Sequence, residues 1–111
     1  MNPEWVMILR YTTTDASAQR ELVEGLSALI DTWVRPYPGW LGTRFHGSED
    51  GLGVVNTIFW ATEADYRKFL EVADNTGRVA QLEALFERLG ERVAFVEGQV
   101  PGHHVLKEAW A

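Results

Sequence analysis

PGWLGTRFHGSEDGLGVVNTIFWA, residues 38–61, is the stretch that decides the fold. Two runs rich in β-formers, 40–47 and 52–61, flank Ser48-Glu49-Asp50-Gly51, a hairpin signal. In the second run Val54, Asn56, Ile58 and Trp60 point one way, and Val55, Thr57, Phe59 and Ala61 the other, so both faces are largely apolar. Residues 5–12 (WVMILRYT) read as another buried strand, where Trp5, Met7, Leu9 and Tyr11 oppose Val6 and Ile8. After it, Thr14, Asp15 and Ser17 supply helix N-cap chemistry. Leu22, Leu26, Leu29, Ile30 and Trp33 follow at helical spacing, until Pro36, Pro38 and Gly39 stop the helix near Arg35. Downstream, Thr62 and Asp65 form a short capping box for a helix with the stripe Tyr66, Phe69, Leu70 and Ala73. After Asn75 and Gly77 a second stripe, Val79, Leu82, Leu85, Phe86 and Leu89, runs to Gly90. Residues 92–98 read as a fourth strand.

The order β-α-β-β-α(α)-β is an α+β, ferredoxin-like split β-α-β with a four-stranded antiparallel sheet. One domain over residues 1–111 is expected, with its core at about 5–98 and a C-terminal tail at 99–111. The helices can cover only one face of the sheet. A sheet apolar on both faces needs a second cover, and another copy of the same sheet supplies it. A homodimer forming a dimeric α+β barrel is therefore expected. Sixteen acidic against ten basic residues give a net charge of −6 with no basic block, which argues against nucleic acid and anionic membranes as partners. The absence of cysteine excludes disulfides, thiol catalysis and Cys-ligated metal. The longest uncharged apolar stretch, around residues 53–61, is too short to span a bilayer, and no leader-like segment opens the chain, so a cytoplasmic protein is expected.

If the 48–51 turn is a regular hairpin in which even-numbered residues share a face, Trp40, Arg44, His46, Asn56 and Trp60 lie together under the helices. Leu41, Phe45, Val55 and Phe59 then form the hydrocarbon face assigned to the dimer contact, although a bulge at Gly53 would shift the pairing. Each unsatisfied buried polar group costs roughly 1–3 kcal/mol. Grouping Asn56 with Trp60 beneath a helix that carries Tyr66 therefore points to a cavity with a few aimed polar groups. Each residue also has a plainer reading: Asn56 pinning the sheet, Trp60 and Tyr66 as packed core, Arg44 and His46 at the rim.

The stretch Pro38-Gly39-Trp40-Leu41 … Asp50-Gly51 … Val54-Val55-Asn56 … Trp60 … Tyr66 resembles the antibiotic biosynthesis monooxygenase family. Within it, the chain looks most like the cofactor-independent anthrone monooxygenases of aromatic polyketide pathways. The similarity covers about residues 7–96 and is densest at 38–70. Asn56, Trp60 and Tyr66 match the family's Asn, Trp and Tyr, which the resemblance implies are catalytic. Relatives can carry a further polar residue near the end of the first strand, where this chain has Thr12 to Thr14. Arg78 is an approximate counterpart of an Arg on the later helix.

No flavin or nicotinamide fingerprint is present, and His46, His103 and His104 lack metal-ligand spacing, so neither a cofactor nor a metal is expected. The resemblance then implies a substrate that acts as its own reductant. An anthrone-like aromatic polyketide loses a proton, passes an electron to dioxygen, and collapses to a peroxide that loses water to give a quinone. Trp33, Trp40, Phe69 and Trp60 are the expected aromatic walls, with Arg44, His46 and Arg78 as further substrate-binding residues. Asn56 and the Trp60 indole N–H would hold the enolate oxygen, and Tyr66 would move protons. A polyketide cyclase or isomerase on the same dimeric fold would use the pocket without oxygen. A non-catalytic dimeric ligand-binding domain would use it without chemistry.

Overall fold

The computed structural model describes residues 2–111. Strand β1 (Trp5–Thr13) leads into helix α1 (Ala16–Trp33), then β2 (Trp40–Gly47), β3 (Gly53–Trp60), α2 (Glu63–Val72) and α3 (Asn75–Leu89). A 3-10 turn (Gly90–Arg92), β4 (Val93–Phe95) and β5 (Gly102–His104) close the chain. The sheet is antiparallel in the order β2-β3-β1-β4, with β5 also on β1, which is the α+β ferredoxin-like arrangement.

Local chemistry sets the helix ends. Asp15, extended, accepts from the Ala18 N–H at 2.8 Å and starts α1. Thr62 accepts from Asp65 N–H at 3.0 Å and starts α2. Helix α3 begins earlier than its apolar stripe, capped by Asp74, so Asn75 and Gly77 lie in its first turn. Gly77 is required there by a close approach, because a Cβ would meet the Trp33 ring at 2.4 Å. The buried residues of α1, among them Leu22, Leu26, Leu29 and Ile30, meet the β1–β3 face to form the core. Each such fully buried aliphatic side chain contributes about 1.5–3 kcal/mol.

The hairpin register differs from the expected one. Gly47 pairs with Val54 across a connection of even length, so even-numbered residues of β2 oppose odd-numbered residues of β3. Phe45 faces Asn56 on the helix side, whereas Arg44 faces Thr57 and His46 faces Val55 on the other side. A bulge at Leu41, not at Gly53, then restores the parity and brings Trp40 opposite Trp60. Within the turn, Gly51 takes φ +78°, the left-handed conformation that glycine adopts without strain.

The last strand and the tail also depart from expectation. Only Val93–Phe95 forms β4, because β1's outer edge is shared with the tail. The Gln99 side chain fills the gap between β4 and β5 as a substitute peptide group. Its Oε1 accepts from Arg10 N–H at 2.9 Å, and its Nε2 donates to the Arg10 carbonyl at 3.0 Å. The opposite sheet face, with Val6, Ile8, Val55 and Phe59 half-buried, carries no helix; Arg44 lies over the Phe59 ring at 5.4 Å.

Candidate active site

A cavity of about 260 Å³ lies between the sheet and the three α-helices. That is just under the size of a typical small-molecule pocket, roughly 300–1,000 Å³. Its strand wall is Met7, Leu9, Tyr11, Asn56, Ile58 and Trp60. Leu26, Leu29, Ile30 and Val34 of α1 form a second side, and Tyr66, Phe69 and Leu70 of α2 with Arg78, Val79 and Leu82 of α3 complete it. Period-two alternation in β1 and β3 aims these strand residues inward. The pairs Trp5–Trp60, Leu9–Asn56 and Tyr11–Val54 fix their order along the sheet.

Asn56 and Trp60 share this face and are 2% and 1% exposed. The Asn56 Oδ1 is buried with no hydrogen-bond partner among the described residues. Such an orphaned carbonyl is costly, and the residue that carries it lies in the cavity wall. At the Trp60 end, the Tyr66 ring lies 5.8 Å from Trp60 and the Phe69 ring 5.2 Å from it. Arg78 stacks over Phe69 at 4.7 Å. Burial lowers the Arg78 pKa, while the Tyr66 and Tyr37 phenols beside it favour its charged form. A cation therefore shares this largely apolar wall with Tyr66.

Of the residues singled out from the sequence, the cavity brings together Asn56, Trp60, Tyr66, Phe69 and Arg78. Trp33 and Trp40 are not in its wall. The Trp33 indole N–H donates to Gln81 Oε1 at 2.6 Å, clasping the end of α1 to α3. Trp40 packs on the Trp60 cluster and donates to Thr43 Oγ1 at 3.2 Å. Arg44 and His46 are exposed on the opposite face, the direct result of the parity change across the turn. At the end of the first strand, Thr13 spends its hydroxyl on the Gly51 carbonyl, and Thr12 and Thr14 are exposed. The polar group that β1 does bring to the cavity is Tyr11, which sequence reasoning left without a role. Its signal was present in the alternation Trp5, Met7, Leu9, Tyr11. Among the described residues no group of three or more His, Cys, Asp or Glu could hold a metal ion, and no helix is long and apolar enough to cross a membrane.

No family model matches the chain. Over 49 residues it is 43% identical to the Tetracenomycin-F1 monooxygenase of Streptomyces glaucescens; the match covers 44% of this chain and 44% of that protein, under half the length of each. The monooxygenase from the gene ActVA-Orf6 of Streptomyces coelicolor, solved with Nanaomycin D, superimposes with a TM-score of 0.73 at 26% identity, covering 98% of this chain and 93% of that one. SnoaB, a cofactor-independent oxygenase from Streptomyces nogalater, shares the fold with a TM-score of 0.65 at 16% identity, over 97% and 96% of the two chains. By sequence over part of its length and by fold over nearly all of it, the chain is similar to these Streptomyces monooxygenases.

Proposed function

We propose that this protein is a cofactor-independent monooxygenase that oxidises an anthrone-like aromatic polyketide intermediate to a quinone with dioxygen. The observation that carries this reading is the unpartnered Asn56 carboxamide, set with the Trp60 indole in a largely apolar cavity. Its Nδ2 donates to a substrate carbonyl or enolate oxygen, and its Oδ1 accepts from a neighbouring phenol O–H. Negative charge that develops on the enolate is stabilised there more strongly than in water. Tyr66, in the same cavity wall as the Arg78 cation, relays the proton that leaves the methylene carbon. The resulting carbanion gives one electron to dioxygen, and the radical pair joins through a C–O bond to form a hydroperoxide. Loss of the second methylene hydrogen with O–O cleavage leaves a carbonyl and releases water. One oxygen atom enters the substrate and the other ends in water, with the substrate supplying all the electrons.

Oxygen uptake with dithranol, a dihydroxyanthrone, in the presence of a metal chelator tests the reading. Uptake well above the buffer rate, with one quinone formed per dioxygen, is expected. Asn56→Ala should lower kcat by about 10²-fold while KM moves only a few-fold. Uptake no faster than in buffer, or full turnover by the variant, overturns the reading. The same proposal includes a cytoplasmic homodimer, joined through the uncovered Val6, Ile8, Val55 and Phe59 face. Light scattering that gives the mass of a single 12.6 kDa chain would refute that assembly.

A further inference from the structure

Tyr11 stands apart from every group used so far. It is 7% exposed, lines the cavity, and makes no hydrogen bond through its hydroxyl among the described residues. Its ring is held between Phe86 at 5.8 Å and Phe95 at 5.4 Å, contacts a phenylalanine would make equally well. The hydroxyl therefore adds nothing to packing and has no protein partner. The hydroxyl is not among the fully buried unpartnered atoms, so it reaches open space, where a bound molecule can take its hydrogen bond.

Its place in the cavity says what that partner is. Tyr11 pairs with Val54, two residues along β3 from Asn56 and on the side away from Trp60. Two residues of strand span about 7 Å, a distance that a fused polycyclic skeleton bridges. The cavity wall thus has Tyr66 and Arg78 near Trp60, the Asn56 carboxamide between, and the Tyr11 phenol at the far end, with apolar side chains separating them. We propose that Tyr11 is a specificity-determining residue, donating a hydrogen bond to a carbonyl or phenol oxygen on the ring of the substrate farthest from Trp60. The assignment rests on the monooxygenase reading only for the identity of the reacting end; recognition of the far oxygen is a binding property. Burial raises the Tyr11 pKa to about 12, so the phenol keeps its proton at neutral pH and acts as a donor.

Binding is measured by quenching of tryptophan fluorescence with two probes, danthron (a dihydroxyanthraquinone) and plain anthraquinone. The wild type should prefer danthron, and Tyr11→Phe should cut that preference by about tenfold, the effect of one buried hydrogen bond. With dithranol as substrate, Tyr11→Phe should raise KM about tenfold while kcat falls less than about twofold, a split that general loosening of the fold would not produce. An unchanged preference in the folded variant, or a wild type that binds neither probe, overturns the proposal. If the Phe variant does not fold, the Cζ resonance of Tyr11 in tyrosine-labelled wild type decides. A shift with danthron and none with anthraquinone supports the proposal, and equal shifts overturn it. Failure of oxygen uptake with dithranol, with the binding preference intact, sinks the monooxygenase reading and leaves the Tyr11 assignment standing.

Discussion

Replacing Asn56 by leucine should make the protein more stable and nearly inactive at once. The Asn56 side chain is 2% exposed and its Oδ1 has no partner, so the folded state carries the desolvation cost of that carbonyl, about 1–3 kcal/mol. Leucine has nearly the same shape, removes the orphaned group, and adds apolar contact with Leu9 and Ile58 across the cavity wall. For a chain of this size each kcal/mol is worth roughly 3–6 °C in Tm, so Asn56→Leu should melt at least about 3 °C above the wild type. Turnover with dithranol should fall by about 10²–10³-fold, because the group that holds the enolate oxygen is gone. Circular dichroism melts at matched protein concentration, since assembly also shifts Tm, give the first number, and oxygen uptake gives the second. A leucine variant that melts several degrees below the wild type would refute the reasoning, because it would show that the carboxamide is a satisfied structural group.

Two further outcomes follow from the structure. Burial raises the Tyr11 phenol from 10.0 to about 12, so between those values the folded chain keeps a proton that the unfolded chain releases. The associated stability, at most about 2–3 kcal/mol, is fully present below pH 10 and lost as pH rises through about 12. Urea midpoints of wild type and Tyr11→Phe should therefore draw apart above about pH 10, the wild type falling below the variant; parallel curves would refute this. Gln99→Leu removes the substitute peptide group at Arg10 and a third bond, from Nε2 to the Val96 carbonyl at 2.8 Å. Because the site is largely exposed, a loss of only about 1–2 kcal/mol is expected. Exchange of the Arg10 amide hydrogen should speed up markedly, and unchanged protection would count against the assignment.

The strands and helices that build the cavity were legible because each rested on a strong local signal. Alternation marked β1 and β3, i/i+4 spacing marked α1, and the capping groups at Asp15 and Thr62 sit where the structure uses them. Asn56, Trp60 and Tyr66 could be grouped because they depend on only one strand and the helix that follows it. Arg44 and His46 went to the wrong face because their direction depends on hairpin parity, which a change of one residue inverts. The bulge at Leu41 shows how fine that dependence is, since it rescues Trp40 and leaves Arg44 turned away. Strand β5 was not legible either. A three-residue segment with glycine and two histidines carries no propensity signal, and it is ordered by β1's vacant edge, a tertiary cause. Tyr11 was visible but mute, since its chemistry arises only from burial beside an empty space.

The way β1's border is closed bears on how this protein can fail. With β4, the Gln99 amide and β5 stitched along that border, the far edge of the sheet is broken into two three-residue strands, and the long open margin for ribbon-by-ribbon accretion of further chains is the outer side of β2. That margin is interrupted by the Leu41 bulge and carries Arg44 and His46 pointing into water, features that discourage templated fibril growth. Loss of the Gln99 stitch would expose a second, flatter margin, and colloidal behaviour rather than catalysis would be the first property to suffer.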